Sequence, residues 1–196
     1  NREDGIGTVP SGAGGLAGYF MPAELGARGD APYAMSFLES YEEGDLRLSS
    51  LSIVGENGMT YTTKYPDAIN NTDNAPILRF TEILLNRAEA LVKSTNSVNE
   101  EALGLINQLR DRAGLEPCEA GDFADADEFL TAILDERRKE LAFEGHRRID
   151  LLRNGLPLRT DGPGAGASSP GDPLVILPIP QNEIDLGSAL PQNPGY

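Results

Sequence analysis

Residues 133–155 read ILDERRKELAFEGHRRIDLLRNG, and this stretch decides the fold class. Its apolar residues recur three and four positions apart, which is typical of an amphipathic helix. They extend a helix that we predict over Asp127 to Glu144, with Asp125 or Asp127 as its N-cap. Gly145 interrupts the pattern, and a short helix follows from Arg147 to Arg153. The predicted apolar face of the longer helix consists of Phe129, Leu130, Ile133, Leu134, Leu141 and Phe143.

Two further helices precede this stretch. The pattern predicts one from Pro76 to Lys93, because proline suits a first helical turn, where its missing N–H leaves no bond unmade. The next begins at Ser97-Val98-Asn99-Glu100, a capping-box sequence, and ends in a left-handed cap at Gly114. The short link between them predicts an antiparallel helical hairpin. The apolar positions are Ile77, Leu78, Phe80, Leu84, Leu85, Ala88 and Leu91 in the first helix and Ala102, Leu105, Ile106, Leu109 and Ala113 in the second.

Composition divides the 196 residues into three parts. Residues 76–153 hold only 4 of the 22 glycines, which predicts a helical core of two helix pairs. The lengths of these helices fit a tetratricopeptide-like stack. Residues 1–75 form a loop-rich segment with candidate ligand-binding loops, and residues 154–196 form a Gly/Pro-rich loop and a C-terminal strap. The expected fold class is therefore mainly α, with helix pairs, long loops and a small β-hairpin.

Local patterns in the first part predict a short helix and the hairpin. The helix spans Ser36 to Glu43, and two short strands span Leu48 to Val54 and Met59 to Lys64. Between the strands, Glu56-Asn57-Gly58 is a hairpin signal.

In the last part, Thr160 to Pro173 is rich in Gly, Pro and Ser and predicts an exposed loop. Leu174 to Pro180 is apolar, and its prolines exclude a central strand, so we expect it to pack across the helices as an extended strap. One helical turn follows at Gln181 to Ile184.

Charge and composition exclude several classes of function. The net charge of −15, from 16 basic and 31 acidic residues, argues against nucleic acid or an anionic membrane surface as a partner. No apolar run approaches the roughly 20 residues that span a bilayer. Cys118 is the one cysteine and His146 the one histidine, which excludes an internal disulfide framework, a Cys-based zinc site and a multi-His metal site. We expect neither a metal nor a cofactor.

Glu136 and Glu140 lie one helical turn apart, a spacing that could serve a glycosidase. Three basic residues separate them, so the favoured interpretation is a charged helix face, solvated or ion-paired. A wider internal ion-pair network is also expected, because charges close to the apolar stripes must be paired if they are buried. Its candidate members are Arg79, Glu82, Arg87, Glu89, Glu136, Arg137 and Arg147.

Five of the six tyrosines lie in the loop-rich first part. An aromatic ring on a loop can stack on the apolar face of a sugar, and nearby charged side chains can bind sugar hydroxyls. For any single tyrosine, ordinary partial burial is the favoured alternative. The candidate ligand-binding residues are Tyr19, Phe20, Arg28, Asp30 and Tyr33.

Four blocks of sequence together resemble the SusD/RagB family, and they appear in that family's order. The blocks are Pro76 to Ala90 (PILRFTEILLNRAEA), Ala102 to Gly114 (ALGLINQLRDRAG), Ile133 to Gly155 (ILDERRKELAFEGHRRIDLLRNG), and Leu177 to Asp185 with Gln192 to Tyr196. The resemblance covers residues 76–196, and residues 1–75 match more loosely. The chain looks like the C-terminal part of such a protein.

The resemblance implies a non-enzymatic binding protein. Members are lipoproteins on the outer face of the outer membrane of Bacteroidetes-type bacteria, and they bind glycans or other nutrients and deliver them to a SusC-type TonB-dependent transporter. The lipid anchor would lie upstream of this chain. No ligand-binding residue transfers by motif, and this chain has no Trp, the residue that commonly forms the sugar platform in glycan-binding members.

Three alternatives stay open from the sequence. A SusD-like protein could bind peptides or another non-glycan nutrient, or the chain could be a non-catalytic interaction module. The third is a glycosidase that uses Glu136 and Glu140.

Overall fold

The computed structural model describes residues 15–70, 72–159, 168–187 and 191–196. These residues fall into two compact units that meet in sequence between Glu144 and Gly145. Helices dominate, with a single two-stranded antiparallel sheet in the described part of the chain, and the predicted fold class is confirmed. Within the same residues, no helix is both long enough and apolar enough to cross a membrane.

The first unit contains six α-helices and both strands within its described residues. In chain order they are α1 (Leu16–Phe20), α2 (Met35–Leu38), α3 (Leu46–Ser50), β1 (Ser52–Val54), β2 (Thr60–Thr62), α4 (Phe80–Thr95), α5 (Glu100–Arg112) and α6 (Ala126–Glu140). The second unit contains α7 (Arg147–Arg153) and α8 (Gln181–Asp185).

The main hydrophobic core lies where α4 packs against both α5 and α6. The α5 positions predicted to be apolar are all buried. The predicted face of α6 contributes Phe129, Ile133 and Leu141 to this core, whereas Phe143 packs against a separate cluster that contains Tyr65. Burial of this apolar surface is the principal stabilising term of the unit. The buried core residues are Leu85, Ala88, Val92, Ala102, Leu105, Ile106, Leu109, Phe129, Ile133 and Leu141.

Helix α4 begins later than predicted, at Phe80 instead of Pro76. Arg79 has extended backbone dihedral angles, and its guanidinium bonds to Glu140 and Glu144, which holds the preceding segment out of the helix. Ile77 and Leu78 are therefore 93% and 66% exposed, and Phe80 at the first position of α4 is 75% exposed. The prediction that these three residues belong to the apolar face is wrong. The buried face is instead formed by Thr81, Leu85, Ala88, Glu89 and Val92.

The helix caps correct two further boundaries. Asn99, not Ser97, caps α5, since its side chain accepts a hydrogen bond from the Ala102 N–H. Asp125 caps α6 as predicted. However, α6 ends at Glu140, four residues before the predicted end, and Phe143 then adopts a left-handed φ of 64° that redirects the chain. Gly114, with φ of 75°, follows α5 as predicted.

The hairpin is present but shorter than predicted. Strands β1 and β2 pair in antiparallel register, with Ile53 opposite Tyr61. The prediction extended the first strand back to Leu48, but that residue lies in α3, whose N-cap Asp45 accepts from the Arg47 N–H. The predicted helix over Ser36 to Glu43 is reduced to the single turn of α2.

In the second unit, α7 has its predicted bounds and α8 forms the predicted turn. The strap differs from the prediction, because Leu174, Ile176 and Leu177 are largely exposed and Val175 is buried. Instead the C-terminal residues return along it: Asn193 donates to the Leu177 carbonyl and Gln192 bonds both polar groups of Ile179. Residues 160–167 of the predicted loop lie outside the described residues.

Candidate functional site

A pocket of about 760 Å³ opens in the first unit, between the residues that follow β2 and the C-terminal end of α6. Its size is within the range of small-ligand sites. Three tyrosines and several charged side chains line it, together with smaller polar groups. The lining includes Tyr33, Tyr41, Arg47, Ser50, Thr63, Lys64, Tyr65, Asn74, Arg79, Arg112, Lys139, Glu140 and Glu144.

Arg47 anchors one side of the pocket from the first turn of α3. Its Nε donates to Oδ1 of Asp45 at 2.9 Å and its Nη2 to Oδ2 at 2.7 Å, the bidentate geometry that suits a guanidinium and a carboxylate. Its Nη1 donates to Glu136 on α6 at 2.5 Å. Arg47 is only 8% exposed, so α3 is joined to α6 by a buried charge pair.

Glu140 and Glu144 accept hydrogen bonds from three other basic side chains of the pocket, Lys64, Arg79 and Arg112. Arg79 donates to both oxygens of Glu144 and to Oε1 of Glu140, and Arg112 donates to the same Oε1 at 2.5 Å. Burial tends to raise the pKa of Glu140, but its bonds and charge interactions with Arg112 and Arg79 outweigh burial and lower the pKa. The carboxylate is therefore ionised at neutral pH.

Lys64 closes the network from the end of β2. Its ammonium donates to the carbonyls of Glu140 and Ala142 and to Oε1 of Glu144, at 2.8, 3.0 and 2.6 Å. These carbonyls belong to the C-terminal end of α6, where a cation is favourable. Burial lowers the pKa of Lys64, although Glu144 opposes the shift. Lys64 thus fixes the turn between α6 and Glu144.

The three tyrosines of the pocket belong to a wider aromatic cluster. The Tyr33 ring centroid lies 4.7 Å from that of Phe143 and 6.5 Å from that of Tyr41. Phe20 contacts Tyr65 and Phe143, with centroids 5.8 and 5.2 Å away. Burial raises the pKa values of all three tyrosines, so their hydroxyls stay protonated and can donate and accept hydrogen bonds.

The five predicted ligand-binding residues fall into two groups. Tyr19, Arg28 and Asp30 meet at the surface: the Arg28 guanidinium lies 5.0 Å from the Tyr19 ring centroid and 2.5 Å from the Asp30 carboxylate. The Arg28 N–H donates to the Gly18 carbonyl, which holds the loop beside α1. Phe20 and Tyr33 belong instead to the aromatic cluster, where Tyr33 is 7% exposed. Of the five, Tyr33 lines the pocket.

The charged residues of the network were only partly predicted. Arg79 and Glu136 are ion-paired as expected, and the structure places the Glu136–Glu140 pair in buried contacts with arginines instead of on a solvated face. Arg87 bonds Glu101 at an exposed position outside this network. Arg47, Lys64 and Arg112 were missed. For Arg47, the sequence did offer a signal: Asp45 precedes it by two residues at the start of a helix, where an aspartate is a common N-cap.

The sequence model of the SusD family matches residues 51–196. This range contains six charged residues of the network, namely Lys64, Arg79, Arg112, Glu136, Glu140 and Glu144, but not Asp45 and Arg47. The chain belongs to the SusD family. SusD-like protein P2 of Formosa agariphila is 33% identical over 153 residues, covering 74% of this chain and 28% of that relative. The starch-binding protein SusD of Bacteroides thetaiotaomicron is 30% identical over 138 residues, or 67% of this chain and 22% of that protein.

Solved structures of the SusD superfamily share the fold. The surface glycan-binding protein A from Bacteroides uniformis is 27% identical, with a TM-score of 0.68 over 85% of this chain and 41% of that one. A SusD superfamily protein from Parabacteroides distasonis has the same TM-score at 26% identity, over 84% of this chain and 42% of its own. The chain spans between 22% and 33% of the length of the four curated SusD relatives.

Proposed function

We propose that this chain contributes to the capture of an extracellular carbohydrate nutrient, without catalysing a reaction. Membership of the SusD family supports the proposal, as does similarity to two proteins described as a starch-binding protein and a surface glycan-binding protein. The pocket carries it structurally. Tyr33, Tyr41 and Tyr65 line the pocket together with charged side chains, and burial keeps the tyrosine hydroxyls neutral. Sugars present this same combination of apolar faces and hydroxyls.

The exposed group of Tyr19, Arg28 and Asp30 is the second part of the proposed site. Tyr19 is 41% exposed, and the Arg28 guanidinium lies over its ring. This contact orients the ring and leaves part of its surface exposed for a ligand. Arg28 and Asp30 can each bond sugar hydroxyls. We assign Phe20 and Tyr33 to the site as well, Tyr33 through the pocket wall and Phe20 through its contact with Tyr65.

The proposal extends to the partner and the location of the parent protein. We propose delivery of the nutrient to a SusC-type TonB-dependent transporter, from a lipoprotein on the outward face of the outer membrane. Family membership supports both points.

Affinity electrophoresis of the 196-residue chain through gels containing single polysaccharides tests the proposal. We expect retardation by at least one glycan, and Tyr19→Ala should weaken it, because the mutation removes the exposed ring. Tyr196→Ala is the matched control, since Tyr196 is also exposed and belongs to the second unit.

If no glycan retards the chain while a peptide library yields a binder, the peptide-binding alternative replaces this proposal. Pull-down of the transporter encoded beside the parent gene, with and without glycan, tests the delivery step. Failure to recover that transporter in both conditions would refute it.

A further inference from the structure

One oxygen in the pocket has an unsatisfied capacity to accept hydrogen bonds. Glu140 lines the pocket, and its side chain is only 3% exposed. Its Oε1 accepts from Arg79 and Arg112. Its Oε2 is buried and forms an ion pair with Arg47 Nη1 at 3.7 Å, but among the described residues no donor lies within hydrogen-bonding distance of it. A buried ionised acceptor without a hydrogen-bond donor is unfavourable, and a donor supplied by a ligand would remove that cost.

The cations around Glu140 are already engaged. Lys64 donates all three ammonium hydrogens, to two carbonyls and Glu144. Arg47 is bound by Asp45 and Glu136, and Arg79 by Glu140 and Glu144. The pocket therefore has no buried cation waiting for an anionic partner among these groups.

The network is also balanced in charge. The four cations are Arg47, Lys64, Arg79 and Arg112, and the four carboxylates are Asp45, Glu136, Glu140 and Glu144. At the rim, Glu42 lies between Arg110 and Lys139. Each of these cations already binds a carboxylate, so an acidic ligand would have to compete with the protein's own carboxylates and would be repelled by Glu140.

We propose that the pocket is a subsite for an uncharged, hydroxyl-bearing glycan unit, one of whose hydroxyls donates to Glu140 Oε2. Arg112, which is 54% exposed and has N–H groups beyond the one bound to Glu140, can donate to the same or a neighbouring hydroxyl. The subsite discriminates against uronate and sulfated glycans. This inference rests on the proposed carbohydrate-binding function and specifies the class of glycan.

The first test needs no mutation. The unmodified chain is run in affinity gels that contain either polygalacturonate or the same polymer after its carboxyl groups have been reduced to primary alcohols. Further gels contain starch, mannan, xylan or galactan as neutral polymers, and alginate or a sulfated galactan as acidic polymers. We expect retardation only in gels with neutral polymers. Equal or stronger retardation by the acidic polymers would overturn the inference and leave carbohydrate binding standing.

The second test compares Glu140→Gln with Glu101→Gln by calorimetric titration of an oligosaccharide from the retarding polymer. In the Glu140→Gln variant, Arg79 and Arg112 hold the amide oxygen, so the amide NH₂ group faces the position of Oε2 and presents a donor where the ligand needs an acceptor. We expect Glu140→Gln to weaken binding at least tenfold. Glu101→Gln removes an exposed carboxylate that pairs with Arg87 outside the pocket, and we expect less than threefold weakening.

The outcomes separate the two proposals. Binding of a neutral glycan that is unchanged in Glu140→Gln overturns the subsite and means that only water satisfies Oε2. Retardation by no polymer at all refutes the proposed function, and the inference falls with it. If Glu140→Gln does not fold, as judged by circular dichroism, the comparison of neutral and acidic polymers on the unmodified chain decides the matter.

Discussion

Replacing Arg47 by Met should destabilise the first unit more than the loss of any exposed ion pair. Arg47 is 8% exposed and makes three charge-assisted hydrogen bonds, two to Asp45 and one to Glu136. Methionine preserves much of the side-chain length and apolar contact, so the change mainly removes the guanidinium. Asp45 and Glu136 are themselves 4% exposed and would be left close together with a missing counter-charge.

The expected magnitude follows from this burial. Breaking a buried ion pair by removing one partner costs about 3–5 kcal/mol, because the remaining charge is uncompensated in a poorly solvated site. The matched control is Arg87→Met, which removes an exposed arginine paired with the exposed Glu101. Exposed pairs contribute about 0–1 kcal/mol. The two substitutions are chemically the same and should differ by at least about 2 kcal/mol.

Urea unfolding followed by circular dichroism at 222 nm measures both variants. The comparison requires similar slopes of free energy against urea, so that the shift in midpoint reports stability. A loss below about 1 kcal/mol in Arg47→Met, or a loss equal to that of Arg87→Met, would refute the argument that the network is a buried, mutually compensating set of charges.

The remaining predictions concern pH, glycines and a cap. The pKa of Glu140 is lowered in the folded state, so its contribution to stability is present above its ordinary pKa of 4.5 and is lost as the pH falls through the folded pKa. The urea midpoint should therefore decrease on acidification below pH 4.5. A midpoint that does not change with pH in this range would contradict the prediction. Gly104→Ala should stabilise the fold by about 0.8–1 kcal/mol, since the position is inside α5 with open space around it. Gly114→Ala should destabilise it by about 1–2 kcal/mol, because φ is 75° and the new Cβ would lie 3.0 Å from Leu46. Thermal unfolding that ranks the two variants in the opposite order would show the backbone reasoning to be wrong. Asn99→Ala should cost about 1 kcal/mol of unfolding free energy through loss of the α5 cap, and Asn99→Asp should restore it in the same urea assay.

The helical core could be predicted because its signals are local. In α5, the apolar spacing, the polar residues at the start and Gly114 at the end all indicate the same helix, and its predicted buried face is confirmed. The start of α4 could not be read in this way. Ile77 and Leu78 fit the apolar period, but the conformation of Arg79 is set by carboxylates 61 and 65 residues later in the chain.

The pocket was largely hidden from the sequence for the same reason. A lysine at the end of a short strand carries no local signal that it will bind the C-terminal carbonyls of a helix 76 residues away. Similarly, the Glu136–Glu140 spacing predicts one helix face, but its burial depends on Arg47 and Arg112 from other elements. The tyrosines could be noticed by composition, while their division into an exposed group and a buried cluster depends on Phe143, whose left-handed φ no pattern predicts.

The sequence distances spanned by the charge network have a kinetic consequence. The helices that form the main core are neighbours in the chain, whereas Arg47 and Glu136 are separated by 89 residues. Closing a flexible loop of that length costs about 4 kcal/mol of chain entropy beyond a constant, from the logarithmic dependence on loop length. Contacts of this kind slow folding compared with contacts between neighbouring helices. We therefore expect the packed helices to form early, and the segment that carries α3 and the hairpin to dock on α6 last, when Arg47 pairs with Glu136.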